Sequence, residues 1–402
     1  MRARARLSAR GHRLARRLTR RAPAPLAVPV PEALLRWRRE GSAPLGGPPT
    51  GVAPGATRGG PLRVAVVIPA FRRGSGGHDT IAHLIRGLEG AGHHCSLWLA
   101  DDEGRHATQT DADVERCFRE FFGATRARLH TGFGRWRGAD VVLATGWQTV
   151  YHVLGLSGAG ARAYLVQDHE PEFYPTSAEA VWAADSYRQG LHCIAASPWL
   201  ADLLRQRYGA RASPFDLGVE HRIYRPGPEP RREDRVLFYA RAVTGRRAVP
   251  LGLLALSELH ARRPEVEIAL FGESRPLRAP FTHVDLGVLE PSALAGHYSS
   301  ATVGLGLSMT NPSRVPTEML ACALACVDLA SPSMLACFGA DGPIALAAFD
   351  PLALADALER LLDRPGERAE RARAGQALVA SRTWEAAAGQ VEEGLREALG
   401  RG

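Results

Sequence analysis

The chain has 402 residues, 45% of them apolar, and a formal charge of +8. That length exceeds what one hydrophobic core fills, so two domains are expected, and no run reaches the ~18 uninterrupted apolar residues of a membrane span. All 50 basic residues are arginine, nine of them in residues 1–22 beside no acid; the other 41 face 42 acids, and so neutral a body excludes a nucleic-acid partner.

Residues 1–60 read as an Arg-rich arm and a Pro/Gly-rich linker. Leu7, Leu14 and Leu18 share a helical face among the arginines, which suits either a solvated tail or an anionic membrane surface. With no apolar core of secretory type, the expected location is cytoplasmic, peripheral to the membrane's inner face where the arm binds it. Order begins at LRVAVVIP (62–69), an apolar run of the kind a buried parallel strand needs. An amphipathic helix through Ile81, Leu84, Ile85 and Leu88 follows, then strands at 94–99, 140–144, 163–166 and 192–195 with helical patterns between them. RPGPEPRRED breaks the alternation, and RVLFY (235–239) restarts it, with further strands at 266–271, 283–285, 301–307 and 325–329. From Pro351 onward the pattern is helical. The reading is α/β, with two Rossmann-like domains facing a cleft: residues 61–228 and 232–383, and a C-terminal helix at 384–402 able to pack back on the first.

Four segments carry candidate chemistry. Gly74-Ser75-Gly76-Gly77 lies between a buried strand and a helix, either a mobile loop or a place where backbone approaches a diphosphate closely. In FYARAVTGRR, Arg241 and Arg246 sit five residues apart across a turn and can converge on one diphosphate. VQDHEPEFYP packs Asp168, His169, Glu170 and Glu172 just past a strand end; adjacent side chains of an extended segment diverge, which disfavours a metal. ATVGLGLSMTNPSRVPTEMLACALACVDLA (301–330) reads as strand, polar turn, and a helix opening at Pro316-Thr317 with Glu318 in its first turn. That acid either complements its helix dipole or accepts bonds from sugar hydroxyls. Asp111 and Asp113, the one DxD, fall in a helical stretch, and Cys322 and Cys326 are expected as small core residues one turn apart on a helix.

Together these segments resemble a retaining glycosyltransferase of the GT-B fold, family 4, and within it the rhamnosyltransferase branch typified by WsaF. FYARAVTGRR resembles that branch's FYARP-type strand-turn, LVQDHEPEFYP its VQDYEP-type loop, and LGVLEPSALAGHYSSATVGLGLS (286–308) the family's spacing before the key loop. The resemblance implies a metal-independent enzyme without a cofactor, using a nucleotide-sugar donor such as dTDP-L-rhamnose. The acceptor would be a glycan or lipid-linked glycan. Arg241 and Arg246 would stabilise the diphosphate with the amides of Gly76 and Gly77. Val288 and Leu289 would hold the base, and Ser313 and Glu318 the rest of the donor. Asp168 and His169 would face the reacting sugar, with Trp147 and Glu170 at the acceptor. The wider family carries two glutamates eight positions apart; here the first position is Thr310. A non-catalytic nucleotide-sugar or glycan-binding subunit and an epimerase on the same fold are the rival readings.

Overall fold

The computed structural model describes residues 31–40, 60–228 and 230–400, which fall in one compact unit, Pro31–Gly402. The Arg-rich arm, and with it the membrane-surface reading, lies outside the described residues. Inside the expected linker a helix, Glu32–Glu40 (α1), docks by its side chains: Ala33 is buried, Trp37 Nε1 donates to Gln189, and Arg38 pairs with Asp185 at 2.8 Å.

The first lobe is a seven-stranded parallel sheet. Its strands are Arg63–Pro69 (β1), His94–Ala100 (β2), Arg128–Thr131 (β3), Ala139–Ala144 (β4), Ala159–Val166 (β5), His192–Ala195 (β6) and Ala212–Pro214 (β7), in the order β3-β2-β1-β4-β5-β6-β7. Val66 at the centre lies opposite Leu97 on one side and Leu143 on the other. The apolar run of β1 follows from covering both faces. Val64, Val66 and Ile68 enter a core with Ile81, Leu84 and Leu88 of Gly76–Gly90 (α2), while Ala65 and Val67 enter another with Val150 and Tyr151. The remaining helices of this lobe are Asp111–Phe122 (α3), Trp147–Gly155 (α4), Ala178–Ser186 (α5) and Pro198–Tyr208 (α6). Asp111 and Asp113 occupy the first turn of α3, where Thr110 and Asp113 close a capping box.

The second lobe repeats the plan with six parallel strands in the order β10-β9-β8-β11-β12-β13. They are Arg235–Tyr239 (β8), Glu267–Phe271 (β9), Val284–Asp285 (β10), Val303–Leu305 (β11), Cys326–Leu329 (β12) and Ala345–Ala347 (β13). Val249–Arg262 (α7), Pro291–Ser300 (α8), Arg314–Ala321 (α9), Pro332–Phe338 (α10), Pro351–Asp363 (α11) and Pro365–Val379 (α12) cover it. The last helix, Trp384–Leu399 (α13), returns to the first lobe and buries Trp384, Ala387, Val391 and Leu395 in the core under β1. Gly87 of α2 admits it: a Cβ there would lie 2.4 Å from that of Ala388. Among the described residues no helix is long and apolar enough to cross a membrane.

Cys322 and Cys326 do not share a helix. α9 stops at Ala321, Ala323 turns the chain with φ +55°, and Cys326 opens β12; both cysteines are buried and free.

In each sheet the strand order reverses at the first strand, between β1 and β4 and between β8 and β11. Ligands of such sheets bind outside the carboxyl ends at these reversals. The loops after β1, β4, β8 and β11 therefore define where a site belongs.

Candidate functional site

The loop after β8 carries both arginines. Arg241 is half-buried; its side chain faces Glu273 electrostatically and makes no hydrogen bond or ion pair among the described residues. Arg246 sits in a 3-10 turn, Gly245–Arg247, with Nε 2.9 Å from Asp168 Oδ2 of the other lobe and its guanidinium 4.0 Å from the centre of the Phe173 ring. Burial lowers its pKa against the opposing pull of Asp168. The pairing engages Nε and leaves the terminal nitrogens with no hydrogen-bond partner among the described residues.

After β11 the chain runs through a polar loop into α9. Ser313 caps this helix, its Oγ accepting from the Val315 amide at 3.4 Å. The helix starts at Arg314, two residues ahead of the expected Pro316, because Ser313 is the better cap. Glu318 consequently lies in the second turn, not the first. It is buried, its carboxylate makes no hydrogen bond among the described residues, and it pairs with Arg314 at 3.6 Å. Burial raises its carboxyl and Arg314 opposes the rise. A buried carboxylate so sparsely partnered suits a pair of sugar hydroxyls. Val288, 62% exposed, and half-buried Leu289 lie in the loop after β10.

From the first lobe, α2 presents its N-terminus. Ser75 occupies the cap position, but its Oγ is turned to His78 Nδ1 at 2.8 Å and caps no amide. Burial pushes the His78 imidazole down to about 4, so it is neutral at physiological pH. Gly76 and Gly77 form the first turn, and the Gln167 side chain donates to the Gly77 carbonyl at 3.2 Å. Asp79, one turn along, receives Arg314 Nη1 at 2.5 Å across the cleft. The N-termini of α2 and α9 thus meet, and both positive ends favour an anion between them.

The QDHEP cluster is engaged by protein groups. Asp168 Oδ1 accepts from the backbone amides of His169 at 2.9 Å and Asn311 at 3.0 Å, while Oδ2 faces Arg246. His169 is 1% exposed, its Nε2 2.7 Å from the Tyr208 hydroxyl and its Nδ1 3.0 Å from Glu172. Glu170, expected at the acceptor, is buried: it accepts from the Trp147 amide at 2.8 Å, at the start of α4, and from the Tyr164 hydroxyl at 2.6 Å. Burial pushes its carboxyl up to about 7. Trp147, expected to stack on an acceptor ring, is 4% exposed and donates through Nε1 to Tyr174 at 3.0 Å. Asp168, His169 and Glu170 are thus each engaged by protein groups, although the buried Nδ1 of His169 faces Glu172 without completing a hydrogen bond.

Sequence reasoning passed over Asn311, Arg314 and Asp79, which join the lobes. Arg314 is one arginine among 50. Asn311-Pro312 reads locally as a turn.

Residues 111–197 match the family model described as WsaF, N-terminal domain, and residues 234–359 match WsaF, C-terminal domain, together more than half of the chain. The O-antigen biosynthesis protein RfbC of Myxococcus xanthus is 33% identical over 267 residues, 64% of this chain; the chain spans about a fifth of that relative's length (20%). Sucrose-phosphate synthase of Thermosynechococcus elongatus has the same fold at TM-score 0.63 and 17% identity, with 85% of this chain and 100% of that one covered. HepE of Anabaena, solved with UDP-glucose, superposes at TM-score 0.61 and 12% identity over 85% of this chain and 100% of its own. With two parallel sheets facing one cleft and both halves matched by that family's models, the chain belongs to the WsaF family of GT-B glycosyltransferases.

Proposed function

We propose that the chain is a retaining transferase that moves a deoxysugar, L-rhamnose from dTDP-L-rhamnose, onto a glycan acceptor, without a divalent ion. The observation that carries this reading is the meeting of the α2 and α9 N-termini across the cleft, with Arg246 reaching Asp168 of the first lobe and Arg241 on the same loop after β8. A nucleoside diphosphate held there gains charge as its bond to the sugar breaks, and prearranged positive groups stabilise that charge without reorganising. Glu318 is assigned to the ribose, the backbone at Val288 and Leu289 to the base. With Asp168, His169 and Glu170 engaged by protein groups, the leaving phosphate oxygen is left to take the acceptor hydroxyl's proton. The bond from C1 to the diphosphate breaks, the bond from C1 to the acceptor oxygen forms on the same face, and the proton travels to the leaving group. HepE, solved with UDP-glucose, supports a nucleotide-sugar donor, and RfbC supports a polysaccharide product.

Thermal shift with dTDP-L-rhamnose and UDP-glucose tests the donor. Ligand at 100 times Kd adds about 2.7 kcal/mol of stability. Stabilisation by the first alone, and transfer that persists in EDTA, are expected. Binding of both without any turnover would favour a binding subunit.

A further inference from the structure

We propose that Asn311 is a positioning residue: it pins the second lobe's donor loop into the first lobe and, through Asp168, aims Arg246 at the diphosphate. This rests on the reading of the cleft given above. Each residue of the loop is held by a different element. Ser308 donates its amide and hydroxyl to Asp328 at 2.7 and 3.1 Å, the Met309 amide reaches the Arg246 carbonyl at 3.3 Å, and Ser333 Oγ donates to the Thr310 carbonyl. Asn311 then crosses the cleft. Its Nδ2 donates to the carbonyls of Gln167 at 3.2 Å and Ala196 at 2.7 Å, and its Oδ1 accepts from Ser197 Oγ at 2.6 Å. These partners stand at the carboxyl ends of β5 and β6 and at the cap of α6.

The side chain is 1% exposed and fully bonded, and a flipped amide would set its oxygen against two carbonyl oxygens, so the site reads one residue in one orientation. The backbone amide of the same residue occupies Asp168 Oδ1, whose other oxygen faces Arg246. Moving the loop therefore moves the carboxylate that orients Arg246. By contrast Thr310, at the position of the wider family's first glutamate, turns its buried Oγ1 to no hydrogen-bond partner. The loop grips the opposite lobe where a carboxylate would have been presented.

The test compares the full chain with Asn311→Ala, Asn311→Asp and Ser197→Ala, following dTDP affinity, dTDP release from dTDP-L-rhamnose, and the radius of gyration by small-angle scattering. The base, ribose and arginine contacts to dTDP are assigned to the second lobe and only the Gly76 and Gly77 amides to the first, so its Kd should rise by less than about 10-fold, well short of the loss of turnover. Turnover should fall about 100-fold in both Asn311 variants, as an ångström-scale misplacement allows, and about 5-fold in Ser197→Ala. Scattering should show a wider domain separation. Asn311→Asp is isosteric but sets an oxygen against the two carbonyls, so it should be at least as impaired as the alanine. Turnover within 3-fold of wild type together with an unchanged radius would overturn the proposal, even with a lowered melting temperature. If the Asn311 variants do not fold, Ser197→Ala decides by the same two readouts. Failure of the wild type to bind or turn over dTDP-L-rhamnose would count against the donor assignment instead, leaving the scattering result to judge the pin.

Discussion

The two strand-end segments richest in charge, QDHEP in the first lobe and ARAVTGRR in the second, are built to opposite ends. In the first, Asp168, His169 and Glu170 are each closed by protein partners. In the second, the half-buried Arg241 side chain makes no hydrogen bond among the described residues, and Arg246 is engaged at one edge only. A polar group that is satisfied in the protein has little left to offer a substrate, while an unsatisfied cation at a strand reversal is available to one. On the proposed function, the saturated cluster is the frame and the unsaturated one the tool.

Breaking the frame should cost stability first. Asp168→Ala leaves the half-buried Arg246 without its carboxylate and two amides unmet, which costs about 2–4 kcal/mol, less than breaking a fully buried pair. Urea unfolding measures it, and a loss below about 1 kcal/mol would remove Asp168 from the frame. Breaking the tool should cost rate. Arg241→Ala is expected to lower kcat about 10²–10³-fold, roughly 2–4 kcal/mol, with the fold intact. Unchanged turnover in steady-state kinetics would place the diphosphate elsewhere.

Glu170 sharpens the comparison through pH. Its folded carboxyl is pushed up to about 7, above its usual range near 4.3, so the folded state keeps a proton that the unfolded state releases. Stability relative to Glu170→Gln is therefore fully present below about pH 4.3, falls as pH rises, and levels off above about pH 7, a total loss of about 4 kcal/mol. Asp328, pushed up to about 6 by burial, slopes the same way but cancels in the difference. Melting of both proteins from pH 5 to pH 8 checks the sign; a difference independent of pH would contradict the buried assignment.

The smallest effect belongs to Thr310. Replacing it with Val exchanges an orphaned buried hydroxyl for a methyl, so stability should stay level or rise by up to about 1 kcal/mol with turnover kept. Loss of turnover would give the hydroxyl a role at the donor.

The alternation of strands was legible because each central strand is apolar on both faces, as Val64 to Ile68 show. What escaped notice was short or disguised: β3, β7 and β13 at three or four residues, and α1 among prolines and glycines. The loops at the strand ends were legible by their place after strands. Their hydrogen-bond partners were not, because the density of charge in QDHEP says nothing of Tyr164, Tyr208 or the α4 amide, which come from 6 to 39 residues away in sequence. Asn311 escaped for the same reason, its partners lying 114 to 144 residues back.

A crystal structure with dTDP-L-rhamnose is the most direct test of which cluster meets the substrate. Diphosphate oxygens within hydrogen-bonding reach of Arg241 and the Gly76 and Gly77 amides are expected, with Asp168, His169 and Glu170 keeping their protein partners. A donor bound with His169 or Glu170 turned onto the sugar, and Arg241 out of reach, would contradict the account.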